Sequence, residues 1–420
     1  MSAFAPVDEA RIAARIERLA AFTEAERPYT RRAFTELYLE ARAWLAEAFR
    51  GAGLEPSVDA AGNLVGRRPG RRDAPALALG SHIDTVAGGG RYDGIAGVVA
   101  ALEVAQVLQG EGTLLDHPLA LYDFLSEEPS VYGASCVGSA GLTGALTPAM
   151  LEARDAGGES LAQAIERMGG DPARLGEPLP EAGELAAFLE LHIEQGPVLE
   201  REGIPVGLVE GIVAIQRMAV TVRGQAGHAG TTPMALRRDA LVGAAAVVQD
   251  VWQRARAEAA EAGFVATVGR LEVVPNGANV VPGEVRLTVE ARSLDVGALE
   301  AFLASTRERA RARAQDLGLE LEADVISTAP ATRSDPRLLA ALEDACNRRG
   351  LGHRRMTSGA GHDAMEVARV APVAMVFVPC AGGLSHHPDE RAEARDVAAG
   401  AAVLLDAVRR LDRELPLTRG

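Results

Sequence analysis

The sequence predicts an α/β protein. A discontinuous domain, built on a mixed, largely parallel sheet flanked by helices, is interrupted by a compact α+β domain of ferredoxin-like βαββαβ order. Three observations predict this. Apolar runs over 76–83 and 119–125 flank an Ala/Val-rich helical segment over 94–109, giving strand, helix, strand. From 213 to 327 the order becomes a strand (213–223), a helix (234–258), two strands (264–274 and 284–292), a helix (297–317) and a strand (318–327). The α/β pattern then resumes with a helix over 336–349, a strand over 372–378 and a helix over 390–412. The expected boundaries are therefore 1–211 with 328–420 for the discontinuous domain and 212–327 for the insert.

Two helices are expected within residues 8–50. Phe34, Leu37, Tyr38, Ala41, Leu45 and Ala48 form one stripe at helical spacing, with Thr30 as candidate N-cap and Gly51 and Gly53 as stops. Leu54 to Arg68 reads as a hairpin around Ala60-Ala61-Gly62-Asn63. The run Ala76 to Leu79 leads a strand into Ser81-His82-Ile83-Asp84-Thr85, where His82 and Asp84, two apart on extended backbone, share a face. Asp93-Gly94 opens the following helix, and the strand from Leu119 ends at Glu127-Glu128. Segment 150–183 is rich in Gly, Pro and Glu and reads as a surface excursion, after which Leu185 to Ile193 returns to the core. In such sheets, sites form at the C-terminal ends of the parallel strands.

Composition narrows the chemistry. The chain has 420 residues, 48% apolar and 24% charged, with net charge −15, which argues against nucleic-acid and anionic-membrane partners. Arg67 to Arg72 and Arg307 to Arg313 read as solvated faces. There is no lysine, so a Walker-type phosphate lysine and a Schiff-base lysine are both excluded. Cys136, Cys346 and Cys380 have no paired spacing, which speaks against a disulfide framework or a thiolate zinc site. Met1 to Arg15 lacks a signal-peptide core and no apolar run reaches membrane-spanning length, so a cytoplasmic protein is expected.

The candidate chemistry lies at strand ends and helix starts: His82, Asp84, Asp93, Glu127, Glu128, His192 and His386. Three imidazoles with several carboxylates and no thiolate suit a divalent ion of the zinc, manganese, cobalt or nickel kind. A carboxylate can bridge two such ions in a hydrolytic site. Each residue alone has a plainer reading: a structural strand-end histidine, a solvated glutamate pair, or a helix cap at Asp93. Their joint order carries the inference.

That order, His82-x-Asp84, Asp93-Gly94, Glu127-Glu128, His192 and Ser385-His386-x-Pro388, resembles the dinuclear metallopeptidases that include aminoacylases and carboxypeptidases. More narrowly it resembles their amidohydrolase branch of N-carbamoyl-L-amino-acid hydrolases, allantoate amidohydrolases and β-ureidopropionases. The narrower likeness rests on Gly80-Ser81-His82-Ile83-Asp84-Thr85-Val86, Leu191-His192-Ile193-Glu194-Gln195-Gly196-Pro197 and His228-Ala229-Gly230-Thr231-Thr232-Pro233-Met234. It rests also on Pro275-Asn276-x-x-Asn279-Val280 and Ser358-Gly359-Ala360-Gly361-His362-Asp363-Ala364.

The resemblance implies two divalent metal ions per subunit, one on His82 and His192, the other on Glu128 and His386, with Asp93 bridging. His387 is the alternative to His386. Asp84 is implied to fix the tautomer of His82, and Glu127 to be the general base. The insert is implied to act as a lid and dimerisation domain. His228 would reach across a homodimer interface to steady the oxyanion, or else be a turn histidine. Asn279 and Arg292 are implied to hold a substrate carboxylate, with Gln195 and the Gly359-Ala360-Gly361 backbone lining the pocket; His362 adds a hydrogen bond there or serves packing. Arg237 and Asp239 match the branch as well, and a helix-start ion pair explains them equally.

The chain departs from the branch at Pro129-Ser130-Val131-Tyr132 and Gly138-Ser139-Ala140, where two basic residues are usual. The implied activity is hydrolysis of a linear C–N amide bond, with an N-carbamoyl-L-amino acid as substrate, and allantoate or β-ureidopropionate as alternatives. An N-acyl-amino-acid deacylase or dipeptidase is the alternative within the superfamily. A non-catalytic, metal-stabilised dimer that binds a carboxylated metabolite is the alternative of another class, and the altered loop is its support.

Overall fold

Four strands, Ala76–His82, Leu119–Phe124, Leu185–Ile193 and Val373–Val378, run parallel and form the heart of a nine-stranded sheet. Their residues are buried almost without alternation, as expected of parallel strands covered on both faces. The expected hairpin is present as Glu55–Val58 and Leu64–Arg68, with Val58 opposite Leu64, and it joins the sheet antiparallel to Leu119–Phe124. On the other side Val206–Ile212 pairs antiparallel with Val373–Val378, placing Leu208 opposite Val376. The sheet is thus mixed with a parallel centre, and the α/β expectation holds. The computed structural model describes residues 7–417, without side chains over 259–262. The part of the Met1 to Arg15 reading that falls on residues 1–6 lies outside them.

Packing divides the chain into two units. One runs to Glu210 and resumes over Arg333–Met356 and from Gly361; the other comprises Gly211–Thr332 and Thr357–Ala360. In the first unit the helix Ile95–Gly110 is buried nearly all round, with Gly97 so close to the sheet that a Cβ there would lie 2.2 Å from the Leu191 carbonyl oxygen. Helices Glu9–Ala20, Glu36–Gly51 and Ala394–Glu414 add Ile12, Ile16, Tyr38, Leu45, Val403 and Leu411 to the same core. The second helix is capped by Thr35, whose side chain accepts from the Tyr38 N–H, and not by Thr30.

The second unit has a four-stranded antiparallel sheet in the order Glu320–Ala329, Ala214–Arg223, Glu284–Ser293, Val265–Val274. Helices Ala240–Ala262 and Val296–Asp316 supply Ala244, Val247, Val251, Leu299, Phe302 and Leu303 to its separate core. Chain order and sheet order together are those of a βαββαβ sandwich. The first of these helices begins six residues after the expected 234. Met234–Leu236 is a 3-10 turn, and Asp239 accepts from the N–H groups of Leu241 and Val242, which fixes the helix start. Two strands longer than two residues escaped the sequence reading, Val206–Ile212 and His353–Ser358.

Candidate metal centre

The ends of the parallel strands deliver the candidate residues to one place. His82 is the last residue of its strand, and its Nδ1 lies 3.0 Å from the Asp84 carbonyl oxygen. A carbonyl only accepts, so Nδ1 carries the proton and Nε2 presents a lone pair. That buried Nε2 has no hydrogen-bond partner. His192 is held the same way, Nδ1 lying 2.9 Å from the Ile193 carbonyl oxygen, while its Nε2 accepts from the Gly94 N–H at 3.1 Å. Asp93 stands between the rings: its Oδ1 is 3.1 Å from His192 Nε2 and 3.6 Å from His82 Nε2. Its Oδ2 is 3.2 Å from His386 Nε2, which is also 3.2 Å from Glu128 Oε1.

Two trios therefore share Asp93. His82, Asp93 and His192 are all buried; Asp93, Glu128 and His386 include the exposed His386. In each trio the donor atoms lie within 4.8 Å of one another. His387 belongs to neither, and its Nδ1 accepts from the Asp389 N–H.

The electrostatics fit a divalent cation. Burial opposes charge on His82, yet Glu127, Asp84 and Asp93 outweigh it and raise its pKa well above the ordinary value. His192 is raised against burial by Asp93 and Glu190. Hydrogen bonds with Asp93 and Glu128 raise His386 to about 10. The carboxylates thus call for positive charge where the ring nitrogens converge. Metal binding would supply it with the imidazoles neutral, and the uncommitted His82 Nε2 is the donor aimed there.

Glu127 lies beside both trios and in neither, its Oε2 3.6 Å from His82 Nε2. Burial, opposed by His82 and reinforced by Asp363, Glu128 and Asp93, holds its carboxyl well above the usual range. The preceding Ser126 has φ +55°, and Cys136, Gln195 and His386 share this left-handed backbone, uncommon for non-glycine residues and often gathered at functional sites.

The Asp84 carboxylate differs from its expected place. It accepts the N–H groups of Glu127 and Glu128 at 3.2 and 3.3 Å, and lies 3.5 Å from His82 Nδ1, whose nearer partner is the Asp84 main-chain carbonyl. Gln195 donates from Nε2 to Asp93 Oδ2 at 2.8 Å. His362 packs edge-on against His192 with ring centroids 4.5 Å apart, and burial, with His192 next to it, pushes its pKa well below the ordinary value.

Three further buried acids are not among the candidate site residues of the sequence analysis. Glu190 accepts from Ser81 Oγ and the Ala364 N–H; Asp363 accepts from Ser139 Oγ; Glu390 accepts from the N–H groups of Tyr92 and Asp93. Burial, then the Asp93 charge, pushes Glu390 up to about 7. Glu190 had a signal, since it stands two residues before His192 on a strand and shares its face.

The atypical loop after Glu128 is fastened by its own residues. Tyr132 stacks edge-on against Phe34 at 5.3 Å and donates to Glu159, which also pairs with Arg167.

His228, Asn279, Arg292, Gly359 and Ala360 belong to the second unit, Gly361 and His362 to the first. His228 is exposed, pairs in a short ladder opposite Val280, and accepts from the Gly230 N–H through Nδ1. The fork of Arg292 is bonded to Glu290 and to the Gly359 carbonyl. Arg237 makes no ion pair with Asp239; it donates to the carbonyls of Ala229 and Thr232, tying down the turn that follows His228.

The profile of peptidase family M20/M25/M40 matches residues 78–410. An N-carbamoyl-L-amino-acid amidohydrolase from Paenarthrobacter aurescens is 39% identical over 405 residues, covering 96% of this chain and 98% of its own. An enzyme of the same name from Geobacillus stearothermophilus is 38% identical over 380 residues, covering 90% and 92%. A solved amidase of the hydantoinase/carbamoylase family from Burkholderia multivorans has a TM-score of 0.88 at 37% identity, covering 96% of this chain and 97% of that one.

Proposed function

Because this chain belongs to peptidase family M20/M25/M40, we propose that it is a metal-dependent amidohydrolase that cleaves the linear C–N bonds of an N-carbamoyl-L-amino acid. One water then converts the carbamoyl compound into the L-amino acid, carbon dioxide and ammonia. The observation that supports this reading best is a pair of three-donor groups sharing Asp93, with the carboxylate of Glu127 left over beside them.

In this reading His82 and His192 would hold one divalent ion and Glu128 and His386 a second, with Asp93 within reach of both. Nitrogen and oxygen donors without sulfur suit zinc, manganese, cobalt or nickel. Bound there, such ions polarise a carbonyl and bring the pKa of water towards neutrality. Glu127 takes the proton of the attacking water and returns it to the departing nitrogen. Asp84 holds the Glu127-Glu128 backbone so that both side chains face the reaction. Arg292 and Asn279 are the residues proposed for the substrate carboxylate, and Gln195, the Gly359-Ala360-Gly361 backbone and His362 are proposed for further substrate contacts. His228 serves the oxyanion from the partner of a homodimer. Light scattering checks the assembly: a monomer of 43.9 kDa at assay concentration overturns the crossed arrangement.

The decisive assay offers N-carbamoyl-L-methionine, allantoate and N-acetyl-L-methionine with each candidate metal. Ammonia release from the first is the expected result. Acetate release alone, or no turnover with any metal, overturns the proposal. Glu127→Gln should lower kcat by about 10²- to 10⁴-fold, the range for lost general-base catalysis, without changing bound metal.

A further inference from the structure

We propose that Glu390 is a positioning residue that sets the occupancy of the more exposed cation site by locking the His386 loop to the backbone of Asp93. The inference rests on the metal-centre reading above and goes beyond it by making the two sites unequal.

The inequality is geometric. His82, Asp93 and His192 are buried, whereas the side chain of His386 is 47% exposed and sits at φ +56°. His386 is thus the ligand most easily withdrawn, and it lies on a loop that follows the strand Val373–Val378 by several residues. What fastens that loop is Glu390, four residues further on and 1% exposed. Its Oε1 accepts the Tyr92 N–H at 2.7 Å and the Asp93 N–H at 3.0 Å. Its Oε2 is 2.9 Å from Ser385 Oγ, which also lies 2.8 Å from Asp93 Oδ2.

One side chain therefore joins the backbone of the shared ligand to the residue immediately before His386. The surrounding chain is shaped for it: Gly90 has φ +99°, and a Cβ there would fall 2.4 Å from Glu390 Oε1. Removing the Glu390 carboxyl leaves two buried N–H groups without an acceptor and cuts the tie between the His386 loop and the Asp93 backbone, so that Ser385 Oγ alone still links the residue before His386 to the Asp93 carboxylate. The fully buried trio keeps its own supports, the carbonyls of Asp84 and Ile193. Loss at Glu390 should accordingly cost one cation and not both.

The test is equilibrium dialysis of the purified protein against buffered zinc or manganese, with bound metal measured by mass spectrometry. Wild type should bind two ions per chain. Glu390→Ala should keep one and bind the second about 10- to 100-fold more weakly, the usual effect of losing a group that orients a ligand. Glu390→Gln keeps an acceptor for both N–H groups and a hydrogen bond to Ser385, so it should restore the second site to within about threefold, as expected where only orientation was lost. Ser385→Ala, which leaves the backbone contacts intact, guards against a misfolded alanine variant and should show an intermediate loss. In kinetics, Glu390→Ala should lower kcat at limiting metal, with recovery at high metal and little change in KM.

Equal affinities in Glu390→Ala and wild type would overturn the proposal, as would a Gln variant as weak as the Ala variant or simultaneous loss of both ions. A wild type that binds no metal would instead overturn the functional reading itself.

Discussion

Gly94 occupies the space between the two buried imidazoles. Its N–H donates to His192 Nε2, its φ is +68°, and a Cβ would lie 2.4 Å from the His82 ring. Gly94→Ala therefore costs on the order of 1–3 kcal/mol in backbone strain at φ +68°, ψ −45°, and the new methyl group pushes His82 out of line with Asp93. The expected outcome is loss of metal from the buried trio with the helix behind it retained, read by metal content and far-ultraviolet circular dichroism. A variant with full metal content would show that the His82 ring is free to move aside. The ligand candidates were legible because imidazoles and carboxylates at strand ends are conspicuous in an apolar run. Their partners were less so. Period two placed Asp84 on the same face as His82, but no pattern of side chains reveals that its carbonyl meets the ring while its carboxylate turns to the Glu127 and Glu128 N–H groups. Glu390 was hidden because the sequence reading starts the last helix at 390, whereas that helix begins at Ala394, and only the long-range contacts of Glu390 with Tyr92 and Asp93 set it apart.

At the scale of elements, the helix Ile95–Gly110 ties the site to the rest of its unit. It begins beside the metal trios and carries Glu103 on its outer side, fully buried. Glu103 receives Arg11 through both oxygens, Arg15 at 3.1 Å and the Asp8 N–H at 2.8 Å, and so holds the helix Glu9–Ala20 in place. Glu103→Gln removes the charge that these arginines share and should cost about 2 kcal/mol, typical of hydrogen bonds to charged groups. Hydrogen exchange should quicken over Glu9–Ala20 and stay unchanged in the strand Leu119–Phe124; uniform quickening would mean that the first helix is no separate element. Periodicity made the long helices and apolar strands readable. It failed where tertiary pairing decides the outcome: His353–Ser358 contains His-Arg-Arg-Met-Thr-Ser, a polar run that becomes a strand by pairing with Val206–Ile212. At Met234 to Leu236 helix-forming residues precede the true cap, and Asp239 sets the start because its carboxylate takes the N–H groups that an earlier start would have to satisfy internally.

For the whole molecule the consequence lies in where binding energy enters. The chain folds into two units with separate buried cores, and every donor of both trios lies in the first. The discontinuous order was readable because the α/β pattern resumes after 335. The return of Thr357–Ala360 to the second unit was not, since four residues carry no period. A cation that binds only the folded first unit stabilises it by RT ln(1 + [M]/Kd), about 4 kcal/mol at a thousandfold excess over Kd. In a unit of this size that corresponds to a shift of roughly 5–10 °C. Calorimetry with and without chelator should therefore move one transition and leave the other where it was. Hydrogen exchange should assign the moving one to the sheet containing Ala76–His82 and the fixed one to Ala214–Arg223 and Glu284–Ser293. If chelation moves a single transition that includes both sheets, the units share one cooperative unfolding event. If it moves nothing at saturating metal, the five donor side chains do not hold a cation in the folded state.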